Sequence, residues 1–247
     1  MLVEQRFATI LKELQENHAA GVARLCELTG ASEATTRRDL NILASQGLLS
    51  KVHGGAVLAE NAFLAKEQDV NTKARLFKDE KEKIAAYAAT LVNDDDVVFL
   101  DSGTTTVKML GHLKGSKATF VTNSVDVLDR MAGAGLRGYC VGGLLRQETR
   151  AMVGAMTQEA LGSFNFTKAF LGTNGIAVKQ GFTTPDREEA AVKRKAAEQA
   201  YLTYVLADSS KFQTVTTVTF LPLEQAVIIT NKLPDESFLE HTIVKEV

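Results

Sequence analysis

The stretch Val97-Val98-Phe99-Leu100-Asp101-Ser102-Gly103-Thr104-Thr105-Thr106 decides the fold. Its four apolar residues follow the polar run Asn93 to Asp96, the pattern of a strand buried on both faces of a parallel sheet. Val107, Leu110 and Leu113 then recur at helical spacing, so a helix begins at the threonines. A strand that turns at once into a helix presents the hydroxyls of Ser102, Thr104, Thr105 and Thr106 beside free backbone N–H groups, while Gly103 permits close approach. Such a loop favours an anion, most often a phosphate. Asp101 is different in kind: a carboxylate repels phosphate but accepts hydrogen bonds from hydroxyls, as a sugar offers. An ordinary βα loop with a Ser/Thr cap has the same composition, so the neighbouring strands must decide.

Strands and helices alternate around this stretch. Glu80 to Val92 reads as a helix. Ala118 to Thr122 is a strand ending in Thr122-Asn123-Ser124, with a helix over Val125 to Met131. Gly138 to Val141 is a strand ending in Gly142-Gly143, and Lys168 to Leu171 one ending in Gly172-Thr173-Asn174-Gly175. Pro185 to Thr203 reads as a long helix with Glu188, Glu189, Lys193, Arg194 and Lys195 on its wet side. Tyr204 to Ala207 is a strand ending in Asp208-Ser209-Ser210-Lys211, and Ala226 to Ile229 another ending in Thr230-Asn231. The alternation predicts a mostly parallel sheet flanked by helices. Ligands of open α/β sheets sit beyond the carboxyl ends of the strands, so five polar strand ends predict one pocket. Arg146 and Lys211, close behind two of those ends, supply positive charge, with Arg150 a third cation nearby. No G-x-G-x-x-G follows the first strand and there is no P-loop, which speaks against a nucleotide.

At 247 residues the chain has room for two domains, and its net charge of -2 gives no global push towards nucleic acid or membrane. Cys26 and Cys140 lie far apart without a C-x-x-C pattern or a histidine cluster, so neither a zinc site nor a disulfide framework is expected, nor any cofactor. Met1 to Phe7 carries Glu4 and Arg6 and no apolar core of a signal peptide, and no run reaches the length of a membrane span. The expected setting is the reducing cytoplasm, with no membrane partner.

The first sixty residues have another rhythm. Val3, Phe7, Ile10, Leu11 and Leu14 give Leu2 to Glu16 one apolar helical face, and a polar turn through Asn17 to Gly21 follows. Val22, Leu25 and Leu28 mark a brief second helix that stops at Gly30, and Ser32 caps a third that Gly47 ends. Two short helices joined by such a turn make a helix-turn-helix. The third helix carries Ser32, Glu33, Thr35, Thr36, Arg37, Arg38 and Asn41 in its first turns, the side-chain types that contact phosphates and base edges. Leu48 to Leu58 reads as two short strands around Gly54-Gly55, a wing with Lys51 and His53 at its tip. From Met1 to Leu58 six basic residues meet six acidic ones, so electrostatics alone does not argue for DNA. A solvated helix face beside a turn fits the same residues.

Thr35-Thr36-Arg37-Arg38-Asp39-Leu40, followed by Gly47-Leu48-Leu49 and His53-Gly54-Gly55-Ala56, resembles the N-terminal domain of the DeoR family of bacterial sugar-operon repressors. The resemblance continues through Leu100-Asp101-Ser102-Gly103-Thr104-Thr105, Val121-Thr122-Asn123-Ser124, Val141-Gly142-Gly143, Ala169-Phe170-Leu171-Gly172 and Asp208-Ser209-Ser210-Lys211-Phe212. It implies a winged helix-turn-helix over residues 1–58, a linker over 59–79 and a sugar-phosphate effector domain over 80–247, similar in fold to ribose-5-phosphate isomerase A. It also implies double-stranded operator DNA as partner, bound by a homodimer or homotetramer, with Arg37 and Arg38 as DNA contacts and Asp39 orienting an arginine or capping locally. The effector site then comprises Asp101 to Thr106, Thr122, Asn123, Ser124, Gly142, Gly143, Arg146, Gly172, Asn174 and Lys211. Gly181-Phe182-Thr183-Thr184-Pro185-Asp186 is closest to members that control fructose or tagatose/lactose uptake, which makes fructose 1-phosphate or tagatose 6-phosphate the expected effector. Thr167 stands where many relatives carry an aspartate.

The isomerase resemblance raises an alternative, a sugar-phosphate isomerase with a helical appendage. That reaction needs a carboxylate base and groups to stabilise an enediolate. The acidic run of the isomerases here reads Leu171-Gly172-Thr173-Asn174-Gly175, without a carboxylate, leaving only Glu188 or Glu189 at a helix start. A regulator rather than an enzyme is expected.

Overall fold

Apolar side chains at helical spacing gather the first sixty residues around one small core. The computed structural model describes residues 3–17, 19–45, 49–58 and 70–247, and the chain divides into two units, Met1–Ala62 and Phe63–Val247. The first unit runs α1 (Val3–Asn17), β1 (Ala19–Gly21), α2 (Val22–Thr29), α3 (Glu33–Ser45), β2 (Leu49–Val52) and β3 (Gly55–Leu58). Ile10 and Leu14 of α1, Leu25 of α2, Leu40 and Leu43 of α3 and Leu49 of β2 are buried together. Gly30 closes α2 in the left-handed region (φ 65°), its N–H donating to the Cys26 carbonyl at 2.8 Å. Ser32 Oγ accepts from the Thr35 N–H at 3.3 Å, opening α3 as a cap.

The wing has three strands rather than two. Asn17 to Gly21, expected as a turn, includes β1, which pairs antiparallel with β3 while β2 takes the other side. Gly55 makes this possible, because a Cβ there would lie 2.3 Å from the Ala20 carbonyl oxygen. The expected helix stop at Gly47, the positions of Leu2 and Leu48, and residues 59–69 of the expected linker lie outside the described residues.

The second unit begins with α4 (Val70–Arg75) and α5 (Lys78–Thr90). Next come β4 (Val97–Leu100), α6 (Thr104–Met109), β5 (Thr119–Thr122), α7 (Val125–Ala134) and β6 (Gly138–Cys140). A hairpin, β7 (Leu144–Arg146) and β8 (Ala151–Val153), precedes α8 (Ala155–Gly162) and β9 (Phe166–Gly172). The remainder is β10 (Gly175–Ala177), β11 (Gly181–Thr184), α9 (Arg187–Glu198), β12 (Ala200–Leu206), β13 (Val218–Leu221), β14 (Val227–Thr230) and β15 (Val244–Glu246). Seven strands form a parallel sheet in the order β15-β14-β12-β9-β4-β5-β6, and β10, β11 and β13 form a separate antiparallel sheet.

Alternate residues of the central strands serve two cores. Val98, Leu100, Phe120 and Phe170 pack on one face with α5, α6 and α7; Phe99, Val121, Ala169 and Leu171 pack on the other with α8 and α9. Burial on both faces explains why β4 reads as an unbroken apolar run. One expected element changes its character. The long helix read over Pro185 to Thr203 ends at Glu198, and Ala200 to Thr203 belong to β12, where Thr203 and Val205 are buried between neighbouring strands. Pairing with β9 and β14 outweighs the local helical pattern there.

The sheet also fixes where a ligand can lie. From β4 the chain proceeds to β5 and β6 on one side, and from β9 to β12, β14 and β15 on the other. The topological switch point therefore falls between β4 and β9, at the carboxyl ends of Leu100 and Gly172.

Candidate functional site

At that switch point Gly103 and Gly172 face one another, and a Cβ on either would stand 3.3 Å from the other's Cα. Beyond them opens a cleft of about 690 Å³, open solvent included. Ser102, Gly103, Thr104 and Thr105 form one wall; Gly172, Thr173 and Asn174 form the next. Lys211 and Asp208 approach from the end of β12, Glu189 and Lys193 from α9, and Lys73 and Lys81 from α4 and α5. Four lysines thus surround one small cleft.

Their environments are unusual for lysine. Burial lowers the pKa of Lys73 from its ordinary 10.5 to about 7, an effect that Glu189 opposes and Lys211, Lys193 and Lys81 reinforce. Burial likewise lowers Lys81, whose Nζ donates to the Lys73 carbonyl at 2.5 Å. Lys193 is 5% exposed, pairs with Asp101, donates to the Gly172 carbonyl at 3.1 Å, and lies 5.6 Å from the Phe220 ring centre. An anion entering here would meet amino groups already stripped of water and would favour their protonated form.

Of the residues expected in the pocket, Ser102, Gly103, Thr104, Thr105, Gly172, Asn174 and Lys211 do line this cleft. Asp101 lies beneath it and is not open to a ligand hydroxyl: its Oδ2 takes the Lys193 ammonium and the Gly172 N–H at 2.8 Å. The buried ion pair locks β4, β9 and α9 together. Thr106 is buried, its hydroxyl donating to the Gly103 carbonyl at 2.6 Å.

The ends of β5 and β6 do not reach the cleft lining. Thr122 Oγ1 donates to the Leu100 carbonyl at 2.6 Å and accepts the Ser124 N–H, while Ser124 caps α7 and Asn123 Nδ2 donates to the Met152 carbonyl. The Gly142 carbonyl accepts from Thr157 Oγ1 at 2.7 Å, and Gly143, at φ 147°, packs against Val153 and Thr157. Arg146 pairs with Asp186 and stands 3.5 Å from Glu189, behind the cleft wall; Arg150 pairs with Asp126 at the surface. The reason is topological. Strands on one side of the switch point end progressively further from it. Thr167 lies at the opposite end of β9, where its hydroxyl bridges the backbone of Val97 at 3.1 Å both ways. Five residues of strand, roughly 16 Å, separate it from Gly172.

Lys73, Lys81 and Lys193 were not anticipated; Lys193 and Glu189 were expected on a wet face, Glu189 otherwise only as a candidate base of the isomerase alternative. A signal was present. Glu189, Val192, Lys193 and Ala196 stand at i, i+3, i+4 and i+7, as do Lys81, Ile84, Ala85 and Ala88. Charges inside an otherwise apolar stripe mark helices that carry ions inward.

In the first unit, α3 and the wing form a separate surface. Ser32, Arg37, Arg38, Asn41, Lys51 and His53 are exposed and Thr35 is half-buried. Thr36 is not on this surface. It is fully buried, one turn before Leu40, with its hydroxyl 3.3 Å from Cys26 Sγ. Asp39 does orient an arginine, but that arginine is Arg6 of α1 (Nε–Oδ2 2.7 Å, Nη2–Oδ1 3.1 Å). Arg37 folds back on Glu33 at 2.5 Å, and Lys51 Nζ donates to Asn41 Oδ1 at 2.5 Å.

Among the described residues no helix is long and apolar enough to cross a membrane, and no cluster of His, Cys, Asp or Glu is placed to hold a metal ion.

Residues 6–62 match the model of the DeoR-like helix-turn-helix domain, and residues 77–232 that of the DeoR C terminal sensor domain. The chain is 38% identical to an uncharacterized HTH-type transcriptional regulator, FruR, of Bacillus subtilis, over 100% of this chain and 99% of the relative. It is 34% identical to the lactose phosphotransferase system repressor of Staphylococcus epidermidis, over 83% and 82%. Among solved structures, ribose 5-phosphate isomerase A of Methanocaldococcus jannaschii aligns at 17% identity with a TM-score of 0.42, covering 55% of this chain and 54% of that one. That likeness is too slight to bear on activity. The two domain matches and the full-length relatives agree, and the chain belongs to the DeoR family of transcriptional regulators.

Proposed function

We propose that this chain represses a sugar-utilisation operon, binding duplex operator DNA through α3 and its wing and responding to a sugar monophosphate in the switch-point cleft. The observation that carries the effector reading is the convergence of Lys73, Lys81, Lys193 and Lys211 on the hydroxyl-lined loop Ser102 to Thr105. The lining sets four lysines against two carboxylates, Glu189 and Asp208, with Lys193 already held by Asp101 beneath it, and the cleft keeps a positive excess. A phosphate monoester carries about two negative charges and is drawn to such a site. Thr173 and Asn174 line the same cleft on the side of β9, where sugar hydroxyls would lie.

On this reading Arg37 and Arg38 contact DNA phosphates or bases, and two copies of the N-terminal unit meet half-sites about one helical turn apart or a multiple of it. The regulated operon serves a sugar taken up as its phosphate, fructose or tagatose/lactose, as the sequence resemblance implies; a lactose phosphotransferase system repressor stands among the relatives. The protein works in the cytoplasm, where its DNA and its effector both are. It is not an isomerase: of the acids lining the cleft, the Glu189 carboxylate accepts from Thr149 and faces Arg146, and Asp208 accepts from Ser210, so neither stands ready as a base.

A thermal-shift series tests this reading. The purified chain is heated with fructose 1-phosphate, fructose 6-phosphate, tagatose 6-phosphate and ribose 5-phosphate, and with each free sugar. One phosphorylated sugar should stabilise by about 2.7 kcal/mol at a hundred times its dissociation constant, while its free sugar does nothing. The same compound should change the affinity for operator DNA and be recovered unisomerised. Stabilisation by free sugar alone, or turnover, overturns the reading.

A further inference from the structure

Glu33, Arg37 and Asn41 follow one another at four-residue spacing along the exposed side of α3. Glu33 occupies Arg37. Asn41 is occupied from outside the helix, by Lys51 of β2, whose Nζ donates to its Oδ1 at 2.5 Å. An ammonium can only donate, so the contact settles which end of the Asn41 amide is oxygen. The amide nitrogen turns away from Lys51 with two N–H donors, and the ammonium keeps two more.

Building on α3 as the recognition helix, we propose that Lys51 sets the base preference of Asn41, making the pair a reader of guanine. An asparagine acting alone matches adenine with both ends of its amide, the oxygen accepting from N6 and the nitrogen donating to N7. In the joined pair the oxygen is engaged beside a positive charge, which disfavours the amino groups of adenine and cytosine. A cluster of donors remains. Guanine offers two acceptors in the major groove, O6 and N7, whereas adenine offers one acceptor and one donor. Lys51 is thus a positioning residue for Asn41, and the wing takes part in sequence choice as well as in holding the phosphate backbone.

The test is selection from a randomised duplex DNA library by the full-length wild type, Lys51→Met and Asn41→Ala, with circular dichroism showing that each variant folds. The wild type should select a motif with a guanine at one position of each half-site. Lys51→Met should keep the rest of the motif but shift that position from guanine towards adenine about tenfold. Asn41→Ala should lose the preference there, and adding Lys51→Met to it should change nothing further. A Lys51→Met variant that binds all sequences proportionately more weakly, with a salt slope reduced by about one and the same motif, would make Lys51 a phosphate contact and overturn the proposal. A wild-type preference for adenine at the Asn41 position overturns it too. If the wild type selects no motif at all, the recognition-helix reading itself fails, a result separable from the other two.

Discussion

The two units use charge in opposite ways. In the N-terminal unit the pair Arg37–Glu33 leaves each side chain 63% exposed. In the C-terminal unit the pair Lys193–Asp101 leaves them 6% and 2% exposed. An exposed pair contributes a few tenths of a kcal/mol and is screened by salt, so Arg37 can leave Glu33 for a phosphate at almost no cost. A buried pair cannot be exchanged, because either partner left alone is an uncompensated ion in a low-dielectric site. The α3 surface is a set of movable charges on a rigid helix, and the Lys193–Asp101 pair beneath the cleft is a fixed one that forms part of the sheet's own architecture.

Asp101→Ala should break this contrast most strongly. It should destabilise the C-terminal unit by about 3–5 kcal/mol in urea unfolding, and Asp101→Leu combined with Lys193→Met should recover most of that loss. Unchanged stability with a lost sugar-phosphate response would instead place the carboxylate on the ligand. Lys211→Ala should remove the roughly 2.7 kcal/mol of ligand stabilisation while moving the ligand-free stability by no more than about 0.5 kcal/mol. Equal effects on both would make Lys211 a structural ion like Lys193.

The pH profile sharpens the comparison further. The folded-state pKa of Lys73 is about 7 against an ordinary 10.5, so between those values the unfolded chain holds a proton that the folded chain has shed. Stability of the ligand-free protein should therefore rise with pH from about 7 upward, by at most about 1.4 kcal/mol per pH unit, with the penalty fully present below 7. Lys73→Met should flatten that rise, as followed by melting temperature at several pH values. Arg37→Ala should weaken operator binding about tenfold and lower the salt slope by about one, with the sugar-phosphate shift intact. Ser32→Ala, which removes the cap of α3, should cost only about 1 kcal/mol, read as a small drop in the melting of the N-terminal unit.

Legibility followed the same division. In α3 the exposed positions were readable because spacing alone separates Arg37 and Arg38 from the buried Leu40 and Leu43. Thr36 escaped that reading because a hydroxyl one turn before Leu40 suits either a phosphate or Cys26 Sγ. Within the sheet, the Asp101 to Thr106 loop and its neighbour at Gly172 were readable as polar strand ends. Which strand ends meet depends on strand order, and that put β4, β9 and β12 together while leaving Asn123 and Gly143 to brace β8 and α8.

From its sequence alone this protein was determined to have a helical, winged N-terminal unit and a parallel α/β unit with a loop suited to phosphate. Periodicity and turn chemistry are local, and the chain carries them wherever it goes. Tertiary structure alone decided that Asp101 belongs to Lys193, that α4, α5 and α9 deliver three lysines to the cleft, and that Lys51 holds Asn41. These are contacts between residues ten to more than a hundred positions apart. Their energies come from burial and proximity, and neither exists until the sheet and the wing have closed.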